Sequence, residues 1–169
     1  MYTTQGIILK KMDVGEADAL YTIYTKDFGK IQALARGIRK EGAKLRGHLE
    51  SLSLSAIRFV AGRGRERLIA ASLICFGEGM RSRETTLGLA FQIAERIDTH
   101  CFPGERDAAL WELLSGSLSM LDGSTFDDGA APRFLQEFDA RLQMCLGYGS
   151  GDRGGEDTVV AGDPSMAYN

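Results

Sequence analysis

The chain has 169 residues, of which 44% are hydrophobic and 25% are charged, a globular composition that excludes fibrous and largely disordered proteins. This length suits one domain of ordinary size, or a small barrel followed by a helical segment. The net charge is −3, but residues 1–79 hold 13 basic and 8 acidic side chains, whereas residues 80–169 hold 7 and 15.

The first part of the chain is predicted to form strands. Short apolar or alternating segments, rich in β-branched and aromatic residues and separated by turn residues, indicate strands. These segments are Gly6–Lys10, Ala19–Thr25, Lys30–Ala35, Leu52–Val60 and Arg67–Phe76. Five short strands at this spacing predict a small closed or partly open barrel, which also leaves few unpaired edges. Between the third and fourth strands, Gly37–His48 is glycine-rich and basic and predicts a flexible loop.

Helical periodicity begins near Ser82 and continues in three stretches. Apolar residues at spacings of three and four predict helices. They are Leu87, Ala90, Phe91, Ala94, Ile97 and Cys101; then Ala109, Leu110, Leu113, Leu114, Leu118 and Leu121; then Phe134, Leu135, Phe138, Leu142, Cys145 and Leu146. Pro132 suits the first position of the third helix, and Gly147 suits its C-terminal cap. The fold class is therefore α+β, with a barrel at residues 1–79, a helical domain at 80–147, and a disordered glycine-rich tail at 148–169.

The cysteines and the N-terminus indicate an intracellular protein. Cys75, Cys101 and Cys145 lie in apolar runs without paired spacing, which favours small buried side chains over a disulfide framework or a zinc site. The N-terminus lacks the charged start and apolar stretch of a signal peptide. No apolar run approaches the roughly 20 residues of a membrane span. We expect a cytoplasmic protein.

No set of residues suggests catalysis. The two histidines, His48 and His100, are far apart in sequence. Gly62–Gly64 lacks the later glycine and the lysine of a phosphate-binding loop. The acidic residues near Gly15 are more typical of a solvated turn than of a metal site. The sequence therefore predicts a protein that is not an enzyme and carries no cofactor.

Basic side chains cluster in the strand-rich half, and they are the candidate nucleic-acid-binding residues. Phosphate binding requires cations of long reach, and arginine also stacks on bases. The candidates are Lys30, Arg36, Arg39, Lys40, Lys44, Arg46, Arg63, Arg65 and Arg67. Tyr21, Tyr24 and Phe28 offer possible stacking faces, although burial in the barrel is the favoured interpretation for each. The alternative is a protein–protein adaptor whose barrel does not bind nucleic acid.

The order of several segments resembles the bacterial RecO family of DNA-repair recombination mediators. The segments are Thr4–Leu9 (TQGIIL), Gly15–Asp18 (GEAD), Gly29–Gly37 (GKIQALARG), Lys44–Leu52 (KLRGHLESL), Gly62–Leu68 (GRGRERL) and Leu146–Tyr148 (LGY). The resemblance covers about residues 1–148. No single motif is diagnostic of the family, but the order and spacing are specific.

This resemblance implies a five-stranded OB-fold barrel joined to helices. It implies binding of single- and double-stranded DNA, strand annealing, and cooperation with RecR to load RecA onto DNA covered by single-strand-binding protein. By position, Arg36, Arg39, Lys44, Arg46 and the Arg63–Arg67 hairpin would contact DNA. Family members usually continue past the LGY segment, and many carry a four-cysteine zinc element. This sequence shows neither, so we expect either a truncated product or a divergent short form. Its helical domain is reduced, and in the family the single-strand-binding protein's acidic tail docks on that domain.

Overall fold

A computed structural model of the chain describes residues 1–127 and 129–148. The predicted tail lies outside this range except for Tyr148. Five strands form the N-terminal part: β1 (Tyr2–Val14), β2 (Asp18–Thr25), β3 (Gly29–Ala35), β4 (Leu54–Val60) and β5 (Glu66–Cys75). All five predicted strands are confirmed. β1 is longer than predicted at both ends, and Leu52 precedes β4 with a positive φ of 67°.

The strands close into a barrel in the order β1-β2-β3-β5-β4. Neighbouring strands are antiparallel except for β3 and β5, which pair in parallel. β1 pairs with β4 through its first half and with β2 over most of its length, with an irregularity between Ile8 and Lys10. An irregularity of this kind lets one strand bend and serve both sides of a barrel. The architecture is the predicted OB-fold barrel.

The segment between β3 and β4 is a compact series of turns. A 3₁₀ turn spans Arg46–His48, and backbone bonds such as Lys40 N to Gly37 O at 3.1 Å close the turns before it. Ile38 and Leu49 are buried among the barrel's interior side chains. Gly37–His48, within this segment, was predicted to be a flexible basic loop. Ile38 and Leu49 instead belong to the barrel's apolar cluster, and Leu45 packs against it.

Four helices follow: α1 (Glu78–Arg81), α2 (Glu84–His100), α3 (Ala108–Gly123) and α4 (Ala130–Cys145). The sequence missed α1 because four residues are too few to show a period. Pro132 was predicted as the first residue of the last helix, but α4 begins at Ala130, so the proline is third, still within the turn whose N–H groups have no helical partner. Gly147 has a φ of 82°, and Tyr148 N donates to Gln143 O at 2.9 Å, which is a Schellman cap.

Two apolar clusters form the core. One fills the barrel, and the other lies among the helices and includes Ile7, Leu9, Tyr24 and Leu52 from the barrel. Barrel and helices therefore share a core. The prediction that Phe91 belongs to the buried apolar stripe of α2 was wrong, because its side chain is 47% exposed. None of the helices among the described residues is long and apolar enough to cross a membrane.

Candidate nucleic-acid interface

Arginines line the outer face where β3 meets β5. Arg67 is the Cα partner of Leu34, and both point outward because Ala33 and Ala35 on β3 and Leu68 on β5 are buried. Arg36 is two residues beyond Leu34. Arg36 lies in the turn directly after β3, and Arg67 is the second residue of β5, so both arginines lie near the β3–β5 pairing. Two cations near the same pairing can contact neighbouring phosphates.

The 3₁₀ turn continues this basic face along β5. His48 Nδ1 accepts a hydrogen bond from Leu73 N at 3.3 Å, and Ser55 Oγ donates to His48 O at 2.6 Å. These bonds attach the turn to the C-terminal half of β5. Arg46 in the same turn is exposed, as are Lys40 and Lys44 before it. The loop cations are thus held beside the strand that carries Arg67.

Arg39 lies on the other side of the loop. Its guanidinium is 3.6 Å from an Asp13 carboxylate oxygen and donates to Gly15 O at 3.1 Å. The pair is exposed, with 40% of the arginine side chain accessible, so solvent screens it strongly. Arg39 is therefore partly neutralised and faces the turn between β1 and β2.

Lys30 does not join the other candidates. Its side chain is 11% exposed, and Nζ lies 3.3 Å from Asp98 Oδ1 and donates to Asp98 O at 2.5 Å. The ammonium therefore connects β3 to α2. A cation held in this way has no free face for a phosphate.

The remaining candidates lie on the β4–β5 hairpin, on β5, directly after β3 and in the segment between β3 and β4, and we call this set the basic track. It consists of Arg63, Arg65, Arg67, Arg36, Arg46, Lys44 and Lys40. All seven are exposed, and none has an ion-pair partner within the described part of the chain. From Arg65 to the level of Leu73, β5 rises about 26 Å, a length that accommodates several nucleotides, as OB-fold sites do.

Arg58 adds a cation that the sequence analysis did not select. It is exposed on β4 between buried Ile57 and Phe59, and its Cα partners are Thr3 and Ala70. The signal was present in the alternation of β4, because a charged residue between two buried ones must face outward. The sequence analysis did not select Arg58 because it is isolated in sequence from the other cations.

The aromatic residues of β2 are interior, as the favoured interpretation had it. Tyr21 and Tyr24 are 1% and 0% exposed. Burial, together with the nearby Glu50 and Asp13 carboxylates, raises the pKa of Tyr21 to about 12, while Arg46 acts in the opposite direction. Phe28 is half-buried and packs on Tyr2 and Phe59. Neither β2 tyrosine is free to stack on a base.

The acidic residues near Gly15, which the sequence analysis weighed as a metal site, include two with structural contacts. Asp18 Oδ1 accepts from Gly37 N at 2.8 Å, and Asp13 pairs with Arg39. Within residues 1–127 and 129–148, no group of three or more His, Cys, Asp or Glu side chains is placed to hold a metal ion. All three cysteines are free; Cys101 is buried as expected, whereas Cys75 is exposed.

Comparison with known proteins identifies the barrel. Residues 1–75 match the family described as Recombination protein O N terminal. The match therefore spans all of the barrel strands, including the two that carry the arginine pair.

Curated relatives extend the similarity into the helices. The DNA repair protein RecO of Dehalococcoides mccartyi is 32% identical over 149 residues, covering 87% of this chain and 56% of the relative. Those of Gloeothece citriformis and Pelotomaculum thermopropionicum are 32% and 30% identical, covering 80% and 88% of this chain and 48% and 56% of the relatives. The chain spans about half the length of the relatives it matches.

Proposed function

The chain belongs to the RecO family, and we propose that it acts in DNA repair by binding single- and double-stranded DNA along the basic track. The observation that carries this proposal is the row of seven exposed cations without ion-pair partners in the described residues. Its relatives are named DNA repair proteins. No bond is made or broken in this function, so it requires no active site.

The mechanism is electrostatic. Each lysine or arginine that neutralises a phosphate releases condensed counterions, which favours binding most at low salt. Arg36 and Arg67 are both exposed, and guanidinium groups pair bidentately with phosphate oxygens. A track that neutralises two strands at once reduces their repulsion and favours annealing.

We further propose that the chain cooperates with RecR to load RecA onto DNA covered by single-strand-binding protein, at the bacterial nucleoid. This step rests on family membership. Co-sedimentation with purified RecR tests it directly. Absence of a complex at micromolar concentrations would restrict the function to DNA binding.

The first experiment is fluorescence anisotropy of labelled single strands and duplexes between 50 and 200 mM salt. If all seven track cations contact phosphates of a single strand, log K falls with log salt with a slope of about −5, or about 1000-fold over this range. The same titration with duplex DNA gives the strand preference.

Paired substitutions locate the binding surface. Arg36→Ala with Arg67→Ala should weaken binding and make the slope shallower by about 1.4, at about 0.7 per lost contact. Arg133→Ala with Arg141→Ala removes two exposed arginines from α4 and should change neither quantity. Wild-type protein that fails to bind at 50 mM salt would favour the adaptor alternative, and equal effects of the two pairs would exclude the track.

A further inference from the structure

A groove opens at the end of the barrel opposite the turn between β1 and β2. It consists of two adjoining depressions of about 360 and 340 Å³ that share Ile31, Glu66 and Gly104. Three segments surround it: the β2–β3 turn, the β4–β5 hairpin and the loop between α2 and α3. Arg65 lines one depression, so the groove lies where the basic track ends.

Aromatic rings form one wall of this groove. Tyr2, Phe28 and Phe59 contact one another with ring centroids 5.3 to 5.4 Å apart. Phe59 is buried, whereas Tyr2 is 45% exposed. Phe28 and Phe59 therefore hold the Tyr2 ring in place, with one side of it exposed to solvent. A ring fixed in this way can stack on a planar ligand at little entropic cost.

Charged side chains without ion-pair partners among the described residues line the rest of the groove. Arg65 and Arg106 are exposed and Glu66 is half-buried. None of these three side chains makes a hydrogen bond or ion pair with another described residue. A carboxylate that lines a cavity beside two guanidinium groups without pairing with them remains available as a hydrogen-bond acceptor.

The groove is held open by backbone contacts. Gly104 N donates to Lys30 O at 2.9 Å, and Pro103 forms a bridge with Lys30. A Cβ at Gly29 would lie 2.0 Å from Glu105 O, so only glycine permits this approach of β3 and the α2–α3 loop. The site is thus formed before any ligand arrives.

We propose that this groove is a nucleobase subsite that takes one unpaired nucleotide from a strand lying on the basic track. The base stacks on Tyr2, the Glu66 carboxylate accepts a hydrogen bond from its exocyclic amine, and Arg65 and Arg106 neutralise the flanking phosphates. This inference rests on the proposed function and adds a base preference to it. Cytosine presents its N4 amine to a carboxylate, whereas thymine carries a carbonyl oxygen at that position and its one donor, N3–H, is flanked by two carbonyl oxygens that repel the carboxylate.

The test compares the affinities of single-stranded dC8 and dT8 by anisotropy at low salt. Wild-type protein should bind dC8 about tenfold more tightly, within the range of a specific side chain–base contact. Glu66→Gln should remove this preference, because an amide both donates and accepts. Tyr2→Leu should weaken both oligonucleotides at least about fivefold through loss of stacking, whereas Tyr2→Phe, which keeps the ring, should bind as wild type.

The outcomes separate this subsite from the proposed function. Wild-type protein that binds neither oligonucleotide would overturn both proposals. Salt-dependent binding by a wild type that shows no preference for dC8 would leave the proposed function standing and overturn the subsite. Wild-type behaviour of Glu66→Gln or Tyr2→Leu would do the same. Tyr148→Ala, which removes a 77% exposed tyrosine at the end of the last helix, serves as the matched control.

Discussion

Lys30 lies in β3 and Arg36 directly follows that strand, and the two side chains have different surroundings. The Lys30 ammonium is held by Asp98 on α2, whereas Arg36 is exposed. Lys30→Ala leaves the Asp98 carboxylate and carbonyl without this donor. We expect a loss of about 1–3 kcal/mol in the free energy of unfolding, measured by urea denaturation, with DNA affinity unchanged. Arg36→Ala should show the reverse, and weaker DNA binding by Lys30→Ala without loss of stability would contradict this assignment.

Titration of Tyr21 should lower the stability of the fold at alkaline pH. Burial first, and then the Glu50 and Asp13 carboxylates, raise its pKa from 10.0 to about 12. Below pH 10 both folded and unfolded chains keep the phenol proton. Between pH 10 and 12 the unfolded chain releases it first, so stability falls by about 2–3 kcal/mol. Tyr21→Phe should lose less stability than wild type from pH 9 to 12 in urea titrations, and parallel curves would show that Tyr21 does not titrate there.

The sequence identified which residues are basic but not which are covered. Period-two alternation in β3 places Lys30 and Gln32 away from the barrel interior, because Ile31 and Ala33 are buried. It carries no information on the α2–α3 loop that lies over the start of β3, because that contact joins distant parts of the chain. For the same reason helical periodicity predicted a buried Phe91, although the partner helices leave that side of α2 exposed.

At the scale of elements, two glycine turns with similar backbones differ in their surroundings. Gly15 and Gly29 have φ values of 60° and 64°, which side chains disfavour. A Cβ at Gly15 meets nothing within 4 Å, whereas one at Gly29 would meet Glu105 O. Gly15→Ala should cost about 1 kcal/mol from backbone strain alone. Gly29→Ala should cost several times more in thermal or urea unfolding, and equal losses would show that the α2–α3 loop moves aside freely.

The α3 cap is a second prediction at this scale. Asp107 Oδ1 accepts hydrogen bonds from Ala109 N at 2.8 Å and Leu110 N at 3.1 Å. Asp107→Ala should therefore lower stability by about 1 kcal/mol, whereas Asp107→Asn should retain most of it, because both Asp and Asn are good caps. Urea denaturation at neutral pH measures both, and a loss from the Asn variant equal to that of Ala would point to charge and not to capping.

Elements were predictable where a repeat extends over several residues. β2 alternates Leu20, Thr22 and Tyr24 with Tyr21 and Ile23, and β-branched and aromatic residues of this kind favour strands. The segment between β3 and β4 has no repeat. It packs on the barrel through isolated apolar residues, Ile38, Leu45 and Leu49, and their burial requires the barrel to exist. Charge and glycine content alone therefore predicted a flexible loop.

At the scale of the whole molecule, the shared core spans the predicted domain boundary near residue 79, which separates the barrel from the helices. Ile7, Leu9 and Tyr24 belong to the barrel strands but pack with the helices. Trp111, the one tryptophan of the sequence, is in the same cluster. A barrel separated from the helices would expose these side chains, at roughly 25 cal/mol per Å² of apolar surface. Barrel and helices should therefore unfold together.

Urea denaturation followed by two probes tests this cooperativity. Trp111 fluorescence reports on α3, and far-ultraviolet circular dichroism reports on the secondary structure of the barrel and helices together. We expect one coincident transition from both probes, because neither part keeps its apolar surface buried alone. Two separate transitions would show that the barrel and the helices are independent domains. In that case the basic track would belong to a unit that folds without α2, and Lys30→Ala would leave the barrel transition unchanged.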